Sequence, residues 1–326
     1  MNRRNTLLAL AALGAAPLAA QAQQAGKTWR IGVLRAAPDD AVFRQVFDPF
    51  LAALSDGGFT EGTNLTIDYR VRPGKPEELL ALANDLVRAK MDAIMALAAP
   101  GVTAASKATT SIPIVALDLE SDPVALGFVK SLGQPGGNIT GLFLDFPELS
   151  GKWIQLLKEA MPKLNRAAVL FDPAVGPYLL RGAEAAGISM RVELVRLEAR
   201  SPADFAHAFE TAAKQKVEAV LALSSPVFNS ARKELAELAI KHRLPAIMPF
   251  PNFADDGGLM AYGPHLTAMF RQAGEVMVKV LKGSQPRAIP IERPTRFELS
   301  VNLKTARTLG LTISQSLLVR ADRVIE

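Results

Sequence analysis

The sequence predicts an α/β protein made of two doubly wound, Rossmann-like parallel-sheet lobes joined by a hinge. Three observations carry that prediction. Short apolar strands alternate with amphipathic helices from Arg30 onward, the pattern of parallel sheets covered on both faces. The alternation restarts after Gly141 in a second series of similar length. The third strand of each series also ends alike, Ala96-Leu97-Ala98-Ala99-Pro100 against Ala222-Leu223-Ser224-Ser225-Pro226, which reads as an internal structural repeat.

The N-terminus stands apart from this pattern. Arg3 and Arg4 precede an apolar run from Leu7 to Leu18, and Ala20-Gln21-Ala22 follows as a small-x-small cleavage signal. Residues 1–22 therefore read as a secretory signal peptide, with a run shorter than the ~20 residues a membrane span needs. Cleavage near Ala22 and an exported mature protein are expected.

In the first series, strands are expected over 30–34, 65–71, 92–98 and 113–117. The helix near 43–56 places Phe43, Val46, Phe47, Phe50, Leu51 and Leu54 on one face, and that near 76–90 does the same with Leu79, Leu82, Ala83, Leu86 and Val87. In the second series, strands over 167–171, 189–195, 217–224 and 245–250 alternate with helices near 177–186, 202–215 and 227–242. The lobes are expected to comprise 28–142 plus 254–286, and 143–253 plus 287–326. The lobe joined by the strand "RFELSVNL" is left open by the sequence alone.

Composition narrows the function. A chain of 326 residues exceeds one ordinary core, and 49% hydrophobic residues exclude wholesale disorder. The formal charge of +5 falls to +3 without Arg3 and Arg4, and no Lys/Arg block interleaves with aromatics, so no nucleic-acid partner is expected. There is no cysteine, which excludes a thiol nucleophile, thiolate metal ligation and a lipid-modified N-terminal cysteine. Gly-x-Ser-x-Gly, His-Glu-x-x-His and Gly-x-Gly-x-x-Gly patterns are all missing. His207, His242 and His265 are far apart in sequence, and only His265 falls near the expected cleft. Neither an enzyme, a metal site nor a cofactor is expected.

In a doubly wound sheet, ligands bind beyond the carboxyl ends of the strands. Two such edges facing each other make one cleft with two matched jaws. The first jaw offers Ala99, Pro100, Gly101, Val102 and Thr103. An alanine at the cap position leaves helix N–H groups open to a small carboxylate, or simply to water. The second jaw offers Ser224, Ser225, Phe228 and Asn229; Ser225 reads as an N-cap or a ligand contact, and Phe228 as core or a ring wall. Asp122, before Pro123, reads as a cap or as the acceptor for a ligand ammonium.

Three stretches, "SDPVALGFVKSLGQPGGNITG" (121–141), "GGLMAYGP" (257–264) and "RPTRFELSVNLKTARTLGLTISQSLLVRADRVIE" (293–326), resemble the tryptophan/tyrosine-type family of ABC transporter substrate-binding proteins. The resemblance spans about 28–326 and implies a periplasmic binding protein of type 1, closing on its ligand and delivering it to an inner-membrane ABC permease. It implies a small-molecule ligand, an aromatic or branched amino acid or a related carboxylate, and a monomer in the periplasm. It places the pocket at Pro38 and Asp39, at Ala99 to Thr103, at Asp122, at Ser224 to Asn229, and at Phe250, Asn252 and Phe253. Two loops depart from the family pattern: "RAAPDD" (35–40) is bulkier and more acidic, and "NFADDGG" (252–258) carries two aspartates. A sensory module handing its closed form to a receptor is the alternative role, and an exported enzyme a more distant one.

Overall fold

The structure is a computed structural model that describes residues 26–36, 41–72, 75–144 and 146–326. The signal-peptide expectation on 1–22 and the pocket expectation on Pro38 and Asp39 lie outside the described residues.

The first lobe runs β1 (Trp29–Arg35), α1 (Ala41–Asp56), β2 (Leu65–Val71), α2 (Leu79–Arg88), β3 (Ala93–Leu97), α3 (Ala98–Ala108), β4 (Ile114–Asp118) and β5 (Ile139–Phe143). Its five strands are all parallel, in the order β2-β1-β3-β4-β5. Strands β3, β4 and β5 are buried along their whole length, as expected of a parallel sheet covered by helices on both faces.

The second lobe opens with α4 (Phe146–Ala160), β6 (Arg166–Phe171), α5 (Tyr178–Met190), β7 (Glu193–Glu198) and α6 (Phe205–Lys214). It continues with β8 (Ala219–Ala222), α7 (Pro226–Ser230), α8 (Arg232–Lys241), β9 (Ala246–Met248), α9 (Asn252–Asp255) and β10 (Met260–Pro264). After α10 (Leu266–Leu281) come β11 (Phe297–Asn302), α11 (Leu303–Thr308), α12 (Gln315–Arg320) and β12 (Arg323–Ile325). The seven strands are ordered β12-β11-β10-β9-β8-β6-β7, with β10 and β11 antiparallel. The run β7-β6-β8-β9-β10 repeats the order of the first sheet, so the alternation read from the sequence is a true topological repeat.

The structure corrects several expected boundaries. Residues 254–286 do not belong together. Strand β10 pairs with β9 and β11 in the second sheet, whereas α10 packs on α1 and on β3 to β5 of the first lobe. Strands β11 and β12 are in the second sheet. The strand expected at 189–195 starts later, because α5 runs on to Met190 and ends at Arg191 in the left-handed region, φ 57°. The helix expected at 227–242 is two, α7 and α8, which meet at Ala231.

Helix α1 is amphipathic, with Phe43, Val46, Phe47, Phe50 and Leu54 all buried. The covering surface comes from α10, where Phe270 meets the Phe43 and Phe47 rings edge-on at centroid distances of 6.2 and 5.9 Å. Ring contacts of this kind add about 0.5–1.5 kcal/mol to the burial itself.

The chain passes from the first lobe to the second after β5, returns after β10, and crosses again before β11. The last passage is tied to β5: the Glu292 N–H donates to the Gly141 carbonyl at 2.9 Å, and the Phe143 N–H donates to the Glu292 carbonyl at 3.1 Å. Gly141 has φ 129°, and a Cβ there would lie 2.1 Å from the Ala116 carbonyl oxygen. Strain of about 1–3 kcal/mol and overpacking of about 1–3 kcal/mol both apply. Gly141→Ala is therefore expected to cost about 2–6 kcal/mol in urea unfolding; a loss below 1 kcal/mol would show that β5 can shift freely against β4.

Candidate functional site

The carboxyl ends of both sheets open onto one cavity between the lobes. Its volume, counting the opening to solvent, is about 690 Å³. The first lobe contributes Arg35 and Ala36 after β1, Leu97 and Ala98 after β3, and Leu117, Leu119 and Glu120 from β4 onward. The second contributes Ser224, Ser225 and Pro226 after β8, Asn229 and Ser230 on α7, and Phe250 after β9. Phe43 and Val46 of α1 and Leu266 and Phe270 of α10 complete the wall. Most of this lining is apolar and aromatic, with few polar groups, the usual make-up of a small-molecule site.

Local chain chemistry explains how these groups arrive. The β3–α3 turn is sharp because Ala98 takes φ 57°, a left-handed conformation that costs an L-residue roughly 1–2 kcal/mol. Strain of this sort persists only where the surroundings impose it, and it collects at functional sites. Leu97 occupies the cap position of α3 and makes no side-chain bond to the first turn. The helix start beside the cavity is thus a favourable environment for an anion. Arg35, at the end of β1, is buried and holds its guanidinium 3.6 Å from the centroid of the Phe43 ring.

The acidic side of the cavity is a pair. Asp118 is completely buried and Glu120 almost so. The Asp118 carboxylate accepts the Glu120 N–H at 2.9 Å and the Ser121 hydroxyl. Glu120 accepts the Ser224 hydroxyl from the opposite lobe at 2.7 Å and the Leu119 N–H at 3.3 Å. Burial, with the negative charge of Asp118 next to it, pushes Glu120 up to about 8, the Ser224 bond opposing the rise. Burial raises Asp118 as well. Ser225 turns the other way: its hydroxyl donates to Asp172 at 2.7 Å and accepts the Val227 N–H at 3.1 Å. Ser225 is therefore the cap of α7, as one of its two readings had it, while Ser224 links the lobes.

Of the residues expected from sequence, Ser224, Ser225, Asn229 and Phe250 line the cavity. The first-jaw residues do not. Ala99, Pro100 and Thr103 line an outer groove against Ala174, Val175 and Gly176 of the second lobe. Val102 is in the core. Gly101 serves packing, not ligand approach: a Cβ there would lie 2.9 Å from the Leu34 carbonyl oxygen. Helix α3 starts at Ala98, so the wall is formed by Leu97 and Ala98 instead. Phe228 is fully buried, its ring centroid 5.6 Å from that of Phe205. Phe253 is core too, and Asn252, at the start of α9, is absent from the cavity wall. Asp122 caps its own turn, accepting the Val124 and Ala125 N–H groups at 2.9 and 3.1 Å, and faces a separate cleft with Tyr178 and Arg293. His265 caps α10 through its Nδ1.

Sequence reasoning missed Arg35, Glu120 and the α1 and α10 rings. The first two had a signal: each is a charged residue at or shortly after the end of an apolar run, Ile31–Leu34 in "WRIGVLR" and Ile114–Leu117 in "PIVALDLE". Among the described residues, no three His, Asp or Glu side chains gather as a metal site would need.

Two substitutions separate packing from recognition. Gly101→Ala should lower stability by about 1–3 kcal/mol by overpacking, read from urea unfolding. Asp122→Ala should cost about 1 kcal/mol of stability as a lost cap and leave ligand affinity, read by calorimetry, within twofold. A tenfold loss of affinity in Asp122→Ala would return that residue to the site.

Comparisons with known proteins agree with this architecture. Residues 30–325 match the family described as ABC transporter substrate binding protein. The chain is 25% identical over 264 residues to the tyrosine-binding protein of Clostridioides difficile strain R20291, covering 80% of this chain and 75% of that one. It superposes on the Streptococcus pneumonia ABC domain in complex with L-Trp with a TM-score of 0.83 at 21% identity, over 92% of this chain and all of that one. On the ligand-free, open structure of a substrate binding protein with adhesive properties from Clostridium difficile, the TM-score is 0.64, also at 21% identity, over 91% and 99%. The chain belongs to the ABC transporter substrate binding protein family, whose members bind solutes and are not enzymes.

Proposed function

We propose that this protein is the solute receptor of an ABC importer, exported to the periplasm, and that it captures an aromatic amino acid or a related aromatic carboxylate by closing its lobes. The observation that carries the reading is the interlobe cavity, with rings from both lobes, Phe43 and Phe270 on one side and Phe250 on the other, beside Arg35 and Glu120. Among the described residues no helix is long and apolar enough to cross a membrane, consistent with a protein that delivers its cargo to a separate permease.

The energetics suit capture rather than chemistry. Burying an aromatic ring contributes about 1.5–3 kcal/mol, and charge-assisted hydrogen bonds about 1.5–3 kcal/mol each. A solute that touches both lobes favours the closed arrangement by its differential affinity for that state. The tyrosine-binding and tryptophan-bound relatives support an aromatic amino acid as the cargo.

Thermal shift tests the reading. L-tyrosine, L-tryptophan and their deaminated forms should raise the melting temperature, while L-alanine and L-glutamate should not. At a ligand concentration one hundred times Kd the stabilisation is about 2.7 kcal/mol, which is several degrees. Absence of any shift with all four aromatic compounds at millimolar concentration would remove the proposed cargo class.

A further inference from the structure

We propose that Glu120 reads the head of the solute, receiving the ammonium group of an amino acid lying in the interlobe cavity. The inference rests on the reading of that cavity as a solute site and adds the feature that sets an amino acid apart from a plain carboxylic acid.

The geometry is specific. A carboxylate offers about four acceptor positions, and two of those on Glu120 are taken, by the Ser224 hydroxyl and the Leu119 N–H. Glu120 itself lines the cavity wall, and its carboxyl also shares a side-chain hydrogen bond with the Asp118 carboxyl. Among the described residues lining the cavity, Glu120 is the one acid and Arg35 the one base. A solute bearing an ammonium group and an apolar side chain matches the acid and the apolar walls.

The neighbouring titratable groups have partners of their own, and one of them, Asp118, is also hydrogen-bonded to the Glu120 carboxyl. Asp118, on the same strand end, accepts the Glu120 N–H and the Ser121 hydroxyl. Asp172, behind the second jaw, accepts the Ser225 hydroxyl and the Ala174 N–H. His265, at the start of α10, bonds the Thr267 hydroxyl and the Ala268 N–H through Nδ1, and its Nε2 lies 3.9 Å from Glu298. Arg35 shares the cavity with Glu120 and lies over Phe43.

The arrangement predicts a proton signature. Closure around a solute without a cation leaves Glu120 buried beside Asp118, where it holds a proton up to about pH 8 against an ordinary value of 4.5. Closure on such a solute therefore takes up a proton at neutral pH. It is favoured as pH falls below 8, is lost as pH rises through 8, and levels off near 4.5. A solute that brings its own ammonium leaves Glu120 ionised and needs no proton.

The experiment is calorimetry on the purified protein at pH 5.5, 6.5 and 7.5 in two buffers of different ionisation enthalpy. The probes are L-tyrosine and L-tryptophan against 3-(4-hydroxyphenyl)propionate and 3-(indol-3-yl)propionate. Amino-acid affinity should change less than threefold across this range with no net proton uptake. Affinity for the deaminated acids should rise at least tenfold from pH 7.5 to 5.5, with close to one proton taken up at pH 6.5. Glu120→Gln should weaken the amino acids at least tenfold and abolish the pH dependence of the deaminated acids. Proton uptake with the amino acids equal to that with their analogues would overturn the assignment on the unaltered protein alone. So would equal losses for both classes in Glu120→Gln, which would leave Glu120 a bridge to Ser224. Binding of the deaminated acids without the amino acids overturns the role of Glu120 and leaves the cavity a solute site; binding of none of the four overturns both.

Discussion

A carboxyl group held out of water must find hydrogen-bond donors or a proton, and the lobe interface is organised around that requirement. Glu120 finds its side-chain donor, the Ser224 hydroxyl, on the opposite lobe. The bond exists only while the lobes are together, so closure has a polar contact beside the cavity. Around it lie apolar and aromatic walls, Phe43 and Phe270 from the first lobe and Phe250 from the second.

The repeated topology explains how this contact is made. Each lobe presents the carboxyl ends of a parallel sheet, and the two third strands, β3 and β8, end opposite each other in Leu97-Ala98 and Ser224-Ser225. The two ends have diverged in chemistry. One is apolar and makes its turn through a strained alanine. The other carries two hydroxyls, one capping its own helix and one reaching across. A duplicated scaffold with unlike tips gives a cleft with distinct polar and apolar ends.

Much of this was legible in the sequence. Strand alternation gave the fold class, and the match of Leu97-Ala98-Ala99-Pro100 with Leu223-Ser224-Ser225-Pro226 located Ser224 and Ser225, because strand-to-helix turns leave a clear local pattern. The failures were physical too. Asp122 has the stronger local signature, a carboxylate before Pro123 at a turn, and its Oδ1 accepts two N–H groups of that turn. Glu120, two residues earlier, looks ordinary until the second lobe buries it. Phe228 and Phe250 are equally apolar in sequence, and only the tertiary packing sends one to the core and the other to the cavity wall. The placement of β10 was missed because α10, which follows immediately, packs on the other lobe.

That last feature bears on how the chain matures. The apolar face of α1 ends at Asp56, and its cover, α10, begins at Leu266, so about 210 residues must be synthesised between them. At 5–20 residues per second that interval is roughly 10–40 s. Throughout it Phe43, Phe47 and Phe50 lack their native lid, and the first lobe stays short of its final core. The first lobe of this design is completed only once the chain beyond the second series of strands has been made.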